Sequence, residues 1–397
     1  MLVTRSRFLL TKTVRLLFIS NLFPDMREPY RGLDNAAVLH ALSSRWEIHT
    51  LALRPVLPWA HKSWQPRADD VALRPTFVPT SYVPKFGTHW NHKLAAWALR
   101  RHLDAARRDA HFDVVLCSWL FPDACAVARL QEEFHFRFVA IAQGSDVHQY
   151  LKMPARRKVM AKLLTRASAI ITRSAELARL LGKTGLRKDR LFPIYNGVDV
   201  AAFHPPTDAE RADARAAHKL PQSAPTILFV GNFLPIKNPH ALLEAHARLR
   251  AIPELRETQL LLAGGGPLEA ELRSLAEKLG HASGVHFTGR HDANGIARLM
   301  RAADVLALPS DNEGVPNVIL ESFASGLPVV ASRVGGIAEV HRHDFLGQLT
   351  PPRDVPALAA ALQKTLLTPP DRKRIAGFGR TFTWQATADA YHRLLAQ

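Results

Sequence analysis

PSDNEGVPNVILESFASGLPVVAS, Pro309 to Ser332, reads as a strand end, a loop, a helix, a glycine stop and a second strand. Pro316 suits the first helical position, because the N–H it lacks would have no intrahelical partner there, and Gly326 suits the C-terminal cap. The helix is therefore expected to start at Pro316 or Asn317, leaving the N–H groups of Asn317, Val318 and Ile319 unpaired at the positive end of its dipole. Such a turn is a ready site for a diphosphate. Glu313 stands ahead of it on the loop, and Glu321 lies within the helix. A carboxylate ahead of an anion site is unsuited to phosphate. It accepts hydrogen bonds from hydroxyls, Glu313 from those of a sugar ring and Glu321 from a ribose. Either Glu alone reads as a capping acid or a solvated helical residue; the combination carries the sharper reading.

Outward from this block, short β-branched or Leu-rich runs alternate with longer segments of helical period, the pattern of a parallel sheet with crossover helices. Strands are expected in the second half at TILFVGN from Thr226, QLLLAGG from Gln259, VHFTGR from Val285, DVLALPS from Asp304 and PVVAS from Pro328. In the first half they are expected at VRLLFIS from Val14, WEIHTLAL from Trp46, DVVLCSW from Asp113, RFVAIAQ from Arg137 and SAIITRS from Ser168. The Pro-rich stretch from Arg54 to Gly87 reads as an irregular insert, and the polar stretch from Ala201 to Pro225 as an inter-domain linker. The expectation is an α/β chain of two doubly wound, Rossmann-like domains, residues 1–203 and 204–381, facing each other across a cleft. Ligands are expected at the carboxyl ends of the strands.

The Glu313 to Glu321 block, with Gly-Leu-Pro following, resembles the E-x7-E signature of family 4 retaining glycosyltransferases, which have the GT-B fold and use nucleotide-sugar donors. The resemblance implies that the first domain binds the acceptor and the second the donor. It also implies that TFTWQATADAYHRLLA, within residues 382–397, is a last helix packing back on the first domain. In VGNFLPIKN, Val230 to Asn238, the family reads G-R-x-x-x-x-K, with two cations clamping the diphosphate. Gly231 and Lys237 match, and Asn232 stands where the arginine would be. A point charge beside a departing phosphate meets charge that grows in the transition state; Asn232 donates hydrogen bonds without charge. Gly314, Val315, Asn317, Val318 and Glu321 complete the donor site of the signature block.

GGGP, Gly264 to Pro267, lacks the G-x-G-x-x-G spacing and reads as a tight strand-to-helix turn, with Gly264 a lesser candidate for flanking the nucleotide. Arg290 holds the position whose backbone reads the base in the family, and reads equally as a surface arginine. In QGSDVHQY, Gln143 to Tyr150, the family often has His-Gly-x-Asp, the His touching sugar or acceptor. Gln143 cannot hold a proton near neutral pH, and Asp146 reads either as a site residue or as a loop cap. SNLFPDMREPYRG leads into a helix near Gly32 that would meet the diphosphate from the other side, with Arg31 and Gly32 the matching residues. YNGVD, Tyr195 to Asp199, resembles the segment that closes the first domain, and reads as a hinge.

The net charge is +17, with 31 basic against 16 acidic residues in positions 1–200 and 21 against 19 afterwards. A one-sided basic field attracts polyanions such as nucleic acid, an anionic membrane or a phosphorylated substrate; it also serves solubility. The stretches from Lys93 and from Lys152, basic and apolar at helical spacing, read as helices lying on an anionic membrane or simply covering a sheet. Arg5, Arg7, Lys12 and Arg15 interrupt any signal-peptide core, and no later window is apolar enough to span a bilayer. Cys117 and Cys125 suggest no disulfide framework, which suits a reducing cytoplasm.

No D-x-D pair is present, so no metal and no cofactor are expected, with the helix dipole and Lys237 in their place. The resemblance implies retaining transfer from a nucleoside diphosphate sugar, such as a UDP-sugar, to a hydroxyl of a glycan or lipid-linked acceptor in bacterial cell-envelope polysaccharide assembly. The setting would be cytoplasmic, peripheral at the inner membrane face. In that reaction the leaving phosphate oxygen takes the acceptor proton while Glu313 positions the sugar, which agrees with a Gln at 143. Two other readings stand beside it: a same-fold nucleotide-sugar epimerase or phosphorylase, and a basic nucleic-acid binder. No zinc-finger, RRM-like or helix-turn-helix signature supports the second, and nucleic acid is not an expected partner. The oligomeric state is not legible.

Overall fold

A computed structural model of the chain describes residues 15–57, 63–84, 86–109 and 112–397, so Arg5, Arg7 and Lys12 of the basic N-terminal stretch lie outside the described residues. The chain divides into two compact units. One comprises the chain through Thr172, Leu177–Ile194 and Ala388–Gln397; the other comprises Arg173–Glu176 and Tyr195–Thr387.

The first unit is built on seven strands: β1 (Arg15–Ser20), β2 (Glu47–Val56), β3 (Pro75–Ser81), β4 (Val114–Ser118), β5 (Arg137–Ala142), β6 (Ala169–Thr172) and β7 (Leu191–Pro193). All pair in parallel, in the order β3-β2-β1-β4-β5-β6-β7. β4 and β6 are buried along their whole length, as strands covered by helices on both faces must be, which is why they read as continuous apolar runs. β3 corrects the expectation of an irregular insert. PTFVPTS forms the sheet edge, in register with β2 at Leu53↔Val78, and an edge strand tolerates Pro75 and Pro79 because only one side of its backbone must pair. β7 closes the opposite edge and is only three residues long, too short for periodicity to reveal. The C-terminal segment is tied to this unit. Trp46 Nε1 donates to His392 Nδ1 at 3.0 Å, Arg45 pairs with Asp389 at 2.7 Å, and Arg137 donates to the carbonyls of Leu394 and Leu395.

The second unit repeats the plan with six strands: β8 (Thr226–Val230), β9 (Gln259–Ala263), β10 (Val285–Gly289), β11 (Val305–Leu308), β12 (Val329–Ser332) and β13 (Gly347–Thr350), in the order β10-β9-β8-β11-β12-β13. β13, GQLT, has no apolar run to announce it. It forms because Gly347, at φ 120°, lets its backbone approach β12 where a Cβ would come within 2.1 Å of the Val329 carbonyl oxygen.

Residues 201–225 are not a linker. Helix Asp208–Ala217 opens with a capping box, in which Glu210 N–H donates to Thr207 Oγ1 at 3.2 Å and Thr207 N–H donates to the Glu210 carboxylate at 2.8 Å. Its Arg215 is buried, donating to the carbonyls of Ala302 at 2.8 Å, Pro221 at 2.6 Å and Ala224. The segment looked polar because its inward face carries an arginine that satisfies buried carbonyls instead of an apolar stripe. The break between units accordingly falls at Ile194, ahead of the expected 203, and the return begins at Ala388. Arg215→Ala leaves those carbonyls unpaired and opens a cavity. It is expected to destabilise the second unit by about 3 kcal/mol or more in urea denaturation, with the first unit's transition unmoved.

Candidate functional site

β8 and β11 are neighbours in the second sheet, with Ile227 opposite Val305 and Leu228 opposite Leu306. The loops leaving their carboxyl ends therefore emerge side by side. The first carries Gly231 to Asn238 and the second Ser310 to Pro316; Asp311 N–H donates to the Ile236 carbonyl at 2.8 Å and joins them. Lys237 Nζ donates to both oxygens of Glu313, at 2.6 and 2.7 Å, and Ser310 Oγ donates to Oε1 at 2.7 Å. The Glu313 side chain is 9% exposed and that of Lys237 26%, so the pair sits at the rim of the sheet with one partner held deeper than the other.

The support beneath Glu313 comes from the loop after β12. Gly335 adopts φ 53°, and a Cβ there would stand 1.7 Å from the Glu313 carbonyl oxygen; Gly336 N–H points at that same oxygen at 3.4 Å. A Cβ on Gly336 would meet Val315 Cγ2 at 2.8 Å. Neither glycine was singled out from sequence, although Gly-Gly directly after a strand was a signal of close backbone approach.

The helix runs Asn317–Ala324. Pro316 is its N-cap in an extended conformation, φ −64° and ψ 130°, so it stands just before the first turn and not within it. The Ile319 N–H reaches back to the Pro316 carbonyl at 3.1 Å, so of the three N–H groups expected to be unpaired at this turn only those of Asn317 and Val318 have no partner among the described residues. Asn317 Oδ1 accepts from Asn196 Nδ2 at 2.7 Å, which places the YNGVD segment beside that turn. Gly314 faces open space. The helix ends as expected, with Gly326 at φ 67° and Leu327 N–H donating to the Ser322 carbonyl at 2.8 Å. Glu321, on the second turn, is partly buried, has no hydrogen-bond or ion-pair partner among the described residues, and burial pushes its carboxyl up to about 7.

Gly264 belongs to a packed turn. At φ 146° its Cβ would come within 1.9 Å of the Gly231 carbonyl oxygen, and Phe233 N–H donates to the Gly265 carbonyl at 3.0 Å. The glycine run thus lets the loop after β9 lie against the loop after β8. Arg290 is exposed and borders this turn, its Nε 3.6 Å from where a Gly265 Cβ would be. Asn232 is exposed and its side chain has no partner among the described residues.

In the first unit the loops after β1, β4 and β5 gather the remaining candidates. Gly32, at φ 66°, caps helix Leu33–Leu42, and a Cβ there would stand 2.3 Å from the Leu22 carbonyl oxygen. Arg31 Nε donates to the Asn21 carbonyl at 2.7 Å. Gln143 Nε2 donates to Asn35 Oδ1 at 2.8 Å and to Ser118 Oγ at 2.7 Å, tying the β5 loop to that helix. Asp146 is fully buried, and its carboxylate accepts from the N–H groups of Leu120, Gln143 and Gly144 at 2.9 to 3.0 Å. In these contacts it acts as a loop cap that positions Gln143. Desolvation raises its carboxyl to about 6. Asp123 went unnoticed in the sequence. Buried just after β4, it accepts from both the backbone N–H and the side-chain amide of Asn21 at 2.6 and 2.8 Å, with desolvation raising it to about 7. Its context, WLFPDAC, offered no periodicity or motif to mark it.

Known proteins divide the chain along the same lines. Residues 37–202 match Glycosyltransferase Family 4, and residues 210–382 match Glycosyl transferases group 1. A D-inositol 3-phosphate glycosyltransferase of Nocardioides sp. is 31% identical over 328 residues, covering 74% of this chain and 70% of that protein. The chain belongs to the family 4, group 1 glycosyltransferases. A protein of the same name from Saccharomonospora viridis is 36% identical over 238 residues, so the chain spans only 54% of that relative's length. Among solved structures, Anabaena HepE in complex with UDP aligns over 96% of this chain and all of that one at TM-score 0.75 and 20% identity. Sucrose-phosphate synthase from Thermosynechococcus elongatus aligns at TM-score 0.74 and 23% identity, over 96% of this chain and 99% of its own. The fold of this family member is GT-B. Among its described residues no helix is long and apolar enough to cross a membrane, and no cluster of three or more His, Cys, Asp or Glu could hold a metal ion.

The Glu313 loop rests on glycine at 335 for both its φ and its missing Cβ. Gly335→Ala is expected to displace that loop while leaving the sheets intact. Unchanged far-ultraviolet circular dichroism with at least a tenfold loss of activity is the expected outcome, and activity within twofold of wild type would show that the loop does not depend on this contact.

Proposed function

We propose that the chain transfers a sugar from a nucleoside diphosphate sugar to an acceptor hydroxyl, with retention at the anomeric carbon and without a metal ion. The observation that carries this reading is the Lys237–Glu313 pair standing beside the first turn of helix Asn317–Ala324. The unpaired N–H groups of Asn317 and Val318 suit diphosphate oxygens. Lys237 has three donors on a point charge, enough to hold Glu313 and a phosphate oxygen together, and its ammonium offsets the repulsion between that carboxylate and an incoming anion. As the phosphate departs, its growing charge meets the ammonium and the helix end, the part a metal would otherwise play. Glu313, oriented by Lys237 and Ser310, accepts from sugar hydroxyls, and Glu321, without a partner among the described residues, accepts from ribose hydroxyls.

Asn232 supplies hydrogen bonds to the diphosphate where a second cation would add charge. Gln143 donates to Asn35 and Ser118, which fixes its side chain. It is not a base, and the leaving phosphate oxygen takes the acceptor proton instead. In the second unit the backbone around Gly231, Gly264 and Arg290 completes the donor surroundings. UDP-sugars are the donors to test first, since HepE was solved with UDP and with UDP-glucose. Two acceptor classes come first: a phosphorylated polyol, after the names of the relatives, and a glycan or lipid-linked hydroxyl of cell-envelope polysaccharide assembly. For lipid-linked acceptors a cytoplasmic, membrane-peripheral setting is supported by Trp90 and Trp97, 55% and 66% exposed, with Lys93 exposed and the Arg101 guanidinium 5.4 Å from the Trp97 ring centroid.

Release of nucleoside diphosphate only when acceptor is present, with product NMR showing the donor's anomeric configuration, is the expected result. Inversion, or turnover without an acceptor, would overturn the proposal. Glu313→Gln is expected to lower kcat by about 100-fold with donor binding changed by less than about threefold. Glu321→Gln is expected to weaken donor binding by about tenfold and spare kcat.

The Glu321 carboxyl titrates near 7, above its ordinary value, so between those values the folded chain holds a proton that the unfolded chain has lost. Folding stability therefore falls as pH rises through that window. Donor affinity runs the opposite way, because the ionised form accepts more hydroxyl hydrogen bonds. Isothermal titration of UDP from pH 5.5 to 8.5 should show binding tighten with a midpoint near 7, and Glu321→Gln should flatten that profile.

A further inference from the structure

Glu339 accepts hydrogen bonds from three donors in distant parts of the chain. One carboxylate oxygen takes the Ala175 N–H at 2.7 Å and the Tyr195 hydroxyl at 3.1 Å, and the other takes the Glu176 N–H at 2.7 Å. Ala175 and Glu176 open helix Ala175–Gly182, so the carboxylate meets N–H groups that lack a partner within that helix and stand at the positive end of its dipole. Its charge strengthens each bond. Burial and the charge of Glu339 push the Tyr195 hydroxyl up to about 12, which keeps it a donor at neutral pH. All four residues belong to the second unit.

The backbone of Glu339 is tied to the turn under Glu313. Its N–H donates to the Gly336 carbonyl at 3.1 Å, and the Ile337 N–H donates to the Val334 carbonyl at 3.2 Å, so hydrogen bonds join the short helix Ile337–Val340 to the Gly335–Gly336 turn. That turn is wedged between two groups. A Cβ on Gly335 would stand 1.7 Å from the Glu313 carbonyl oxygen and 3.0 Å from a Glu176 carboxylate oxygen. Glu339 thus fixes both sides of the wedge, the turn through its own backbone and Glu176 through that residue's N–H. The Glu313 loop depends on such support, because none of residues 311–316 is fully buried. Helix Asn317–Ala324, by contrast, is anchored by its own buried Ile319, Leu320 and Phe323. Loss of the Glu339 carboxylate therefore loosens the loop and spares the helix.

We propose that Glu339 is a positioning residue for sugar transfer, acting through the Gly335–Gly336 turn to hold the Glu313 carboxylate where the reaction requires it. The effect on transfer rate rests on the transferase reading above; the mechanical link from Glu339 to the loop does not. A misplacement of about 1 Å at a reacting centre can cost about 100-fold in rate, so the link shows in kcat and not in nucleotide affinity. Glutamine at 339 keeps the length and one acceptor oxygen but turns an NH2 group toward a backbone N–H, so it restores the hub only in part.

The test uses the full chain with UDP-glucose as donor and glycerol 3-phosphate as acceptor. UDP release gives kcat per UDP-binding chain, calorimetry gives UDP affinity, and mass spectrometry follows amide hydrogen exchange across residues 333–341. Glu339→Ala is expected to lower kcat by about tenfold or more, to keep UDP affinity within about threefold, and to speed exchange in that segment. Glu339→Gln is expected to fall between Glu339→Ala and wild type in rate and in exchange. Tyr195→Phe is expected to slow wild type by about threefold and to add nothing in the Glu339→Ala background, since both changes break one hub. Arg215→Ala controls for general weakening of the unit, because its contacts lie at the amino ends of β8 and β11, away from the turn; its kcat per UDP-binding chain is expected to stay within about twofold of wild type. Unchanged kcat or unchanged exchange in Glu339→Ala overturns the proposal, as does an equal loss of kcat in Arg215→Ala or an additive cost of Tyr195→Phe. If Glu339→Ala fails to fold, Glu339→Gln and Tyr195→Phe, alone and combined, decide by the same criteria. A wild type that binds no UDP or turns over no donor removes support from the transferase reading, and exchange in Glu339→Ala against Arg215→Ala then decides the link by itself.

Discussion

Glu313 and Lys237 are 76 residues apart in the chain and meet because β8 and β11 are hydrogen-bonded neighbours. In a sheet ordered β10-β9-β8-β11-β12-β13, the chain builds outward from β8 in one direction, then returns to start again on its other side. At that reversal the connecting helices of β8 and β11 diverge to opposite faces, and the two loops have the strand ends to themselves. Everything at the site follows from this placement: the glycine turn after β9 packs under the β8 loop, the Gly335–Gly336 turn after β12 packs under the β11 loop, and the ion pair closes between them. A pair with one side chain 9% exposed would be costly if fully enclosed, but the rim position leaves Lys237 partly hydrated and lowers that cost.

The first sheet repeats the reversal between β1 and β4, and the same position is used differently. There Asp123, after β4, holds Asn21, after β1, by both its backbone and its side-chain amide. The contact is sealed where the other is open, and desolvation keeps Asp123 a weaker acid than usual. Arg54 on β2 fixes the rest of the β1 loop, donating to Asp25 at 2.9 Å and to the Phe23 carbonyl at 2.7 Å. With Asn21, Phe23 and Asp25 held, the chain must reach Gly32 by a tight path, and the φ of 66° there is the conformation that path requires. One topology thus yields an ion pair at one reversal and a rigid frame at the other.

What the sequence made legible was whatever local rules control. The helix at Asn317 was marked by a proline before it and a glycine after it, and strands buried on both faces announced themselves as apolar runs. β3, β7 and β13 did not, because edge position, shortness or backbone proximity, and not hydrophobicity, creates them. The helix Asp208–Ala217 carried a readable signal in Thr207 and Glu210, outweighed by the prolines around it. Glu313, Lys237 and Gly32 were visible through motif spacing. Asp123 and Gly335 were not, since their roles come from contacts between loops far apart in sequence.

The electrostatics of the second unit's rim give the backbone an unusual share. With Asn232 where a second cation would stand, Lys237 is the charge at the end of the β8 loop, and Glu313 cancels it. The side-chain pair is then close to neutral, and the fixed positive potential in the neighbourhood comes from the N–H groups of Asn317 and Val318. Backbone dipoles cannot be titrated, rotated away or neutralised by a counter-ion, so they supply a constant field. Lys237 can instead shift its hydrogen bonds between a carboxylate and a newly charged oxygen without crossing the rim. A second arginine would have strengthened binding of the diphosphate before and after any reaction alike. A lysine already compensated by Glu313 adds most when a new negative charge appears beside it, which is the condition under which an interaction changes a rate and not only an affinity.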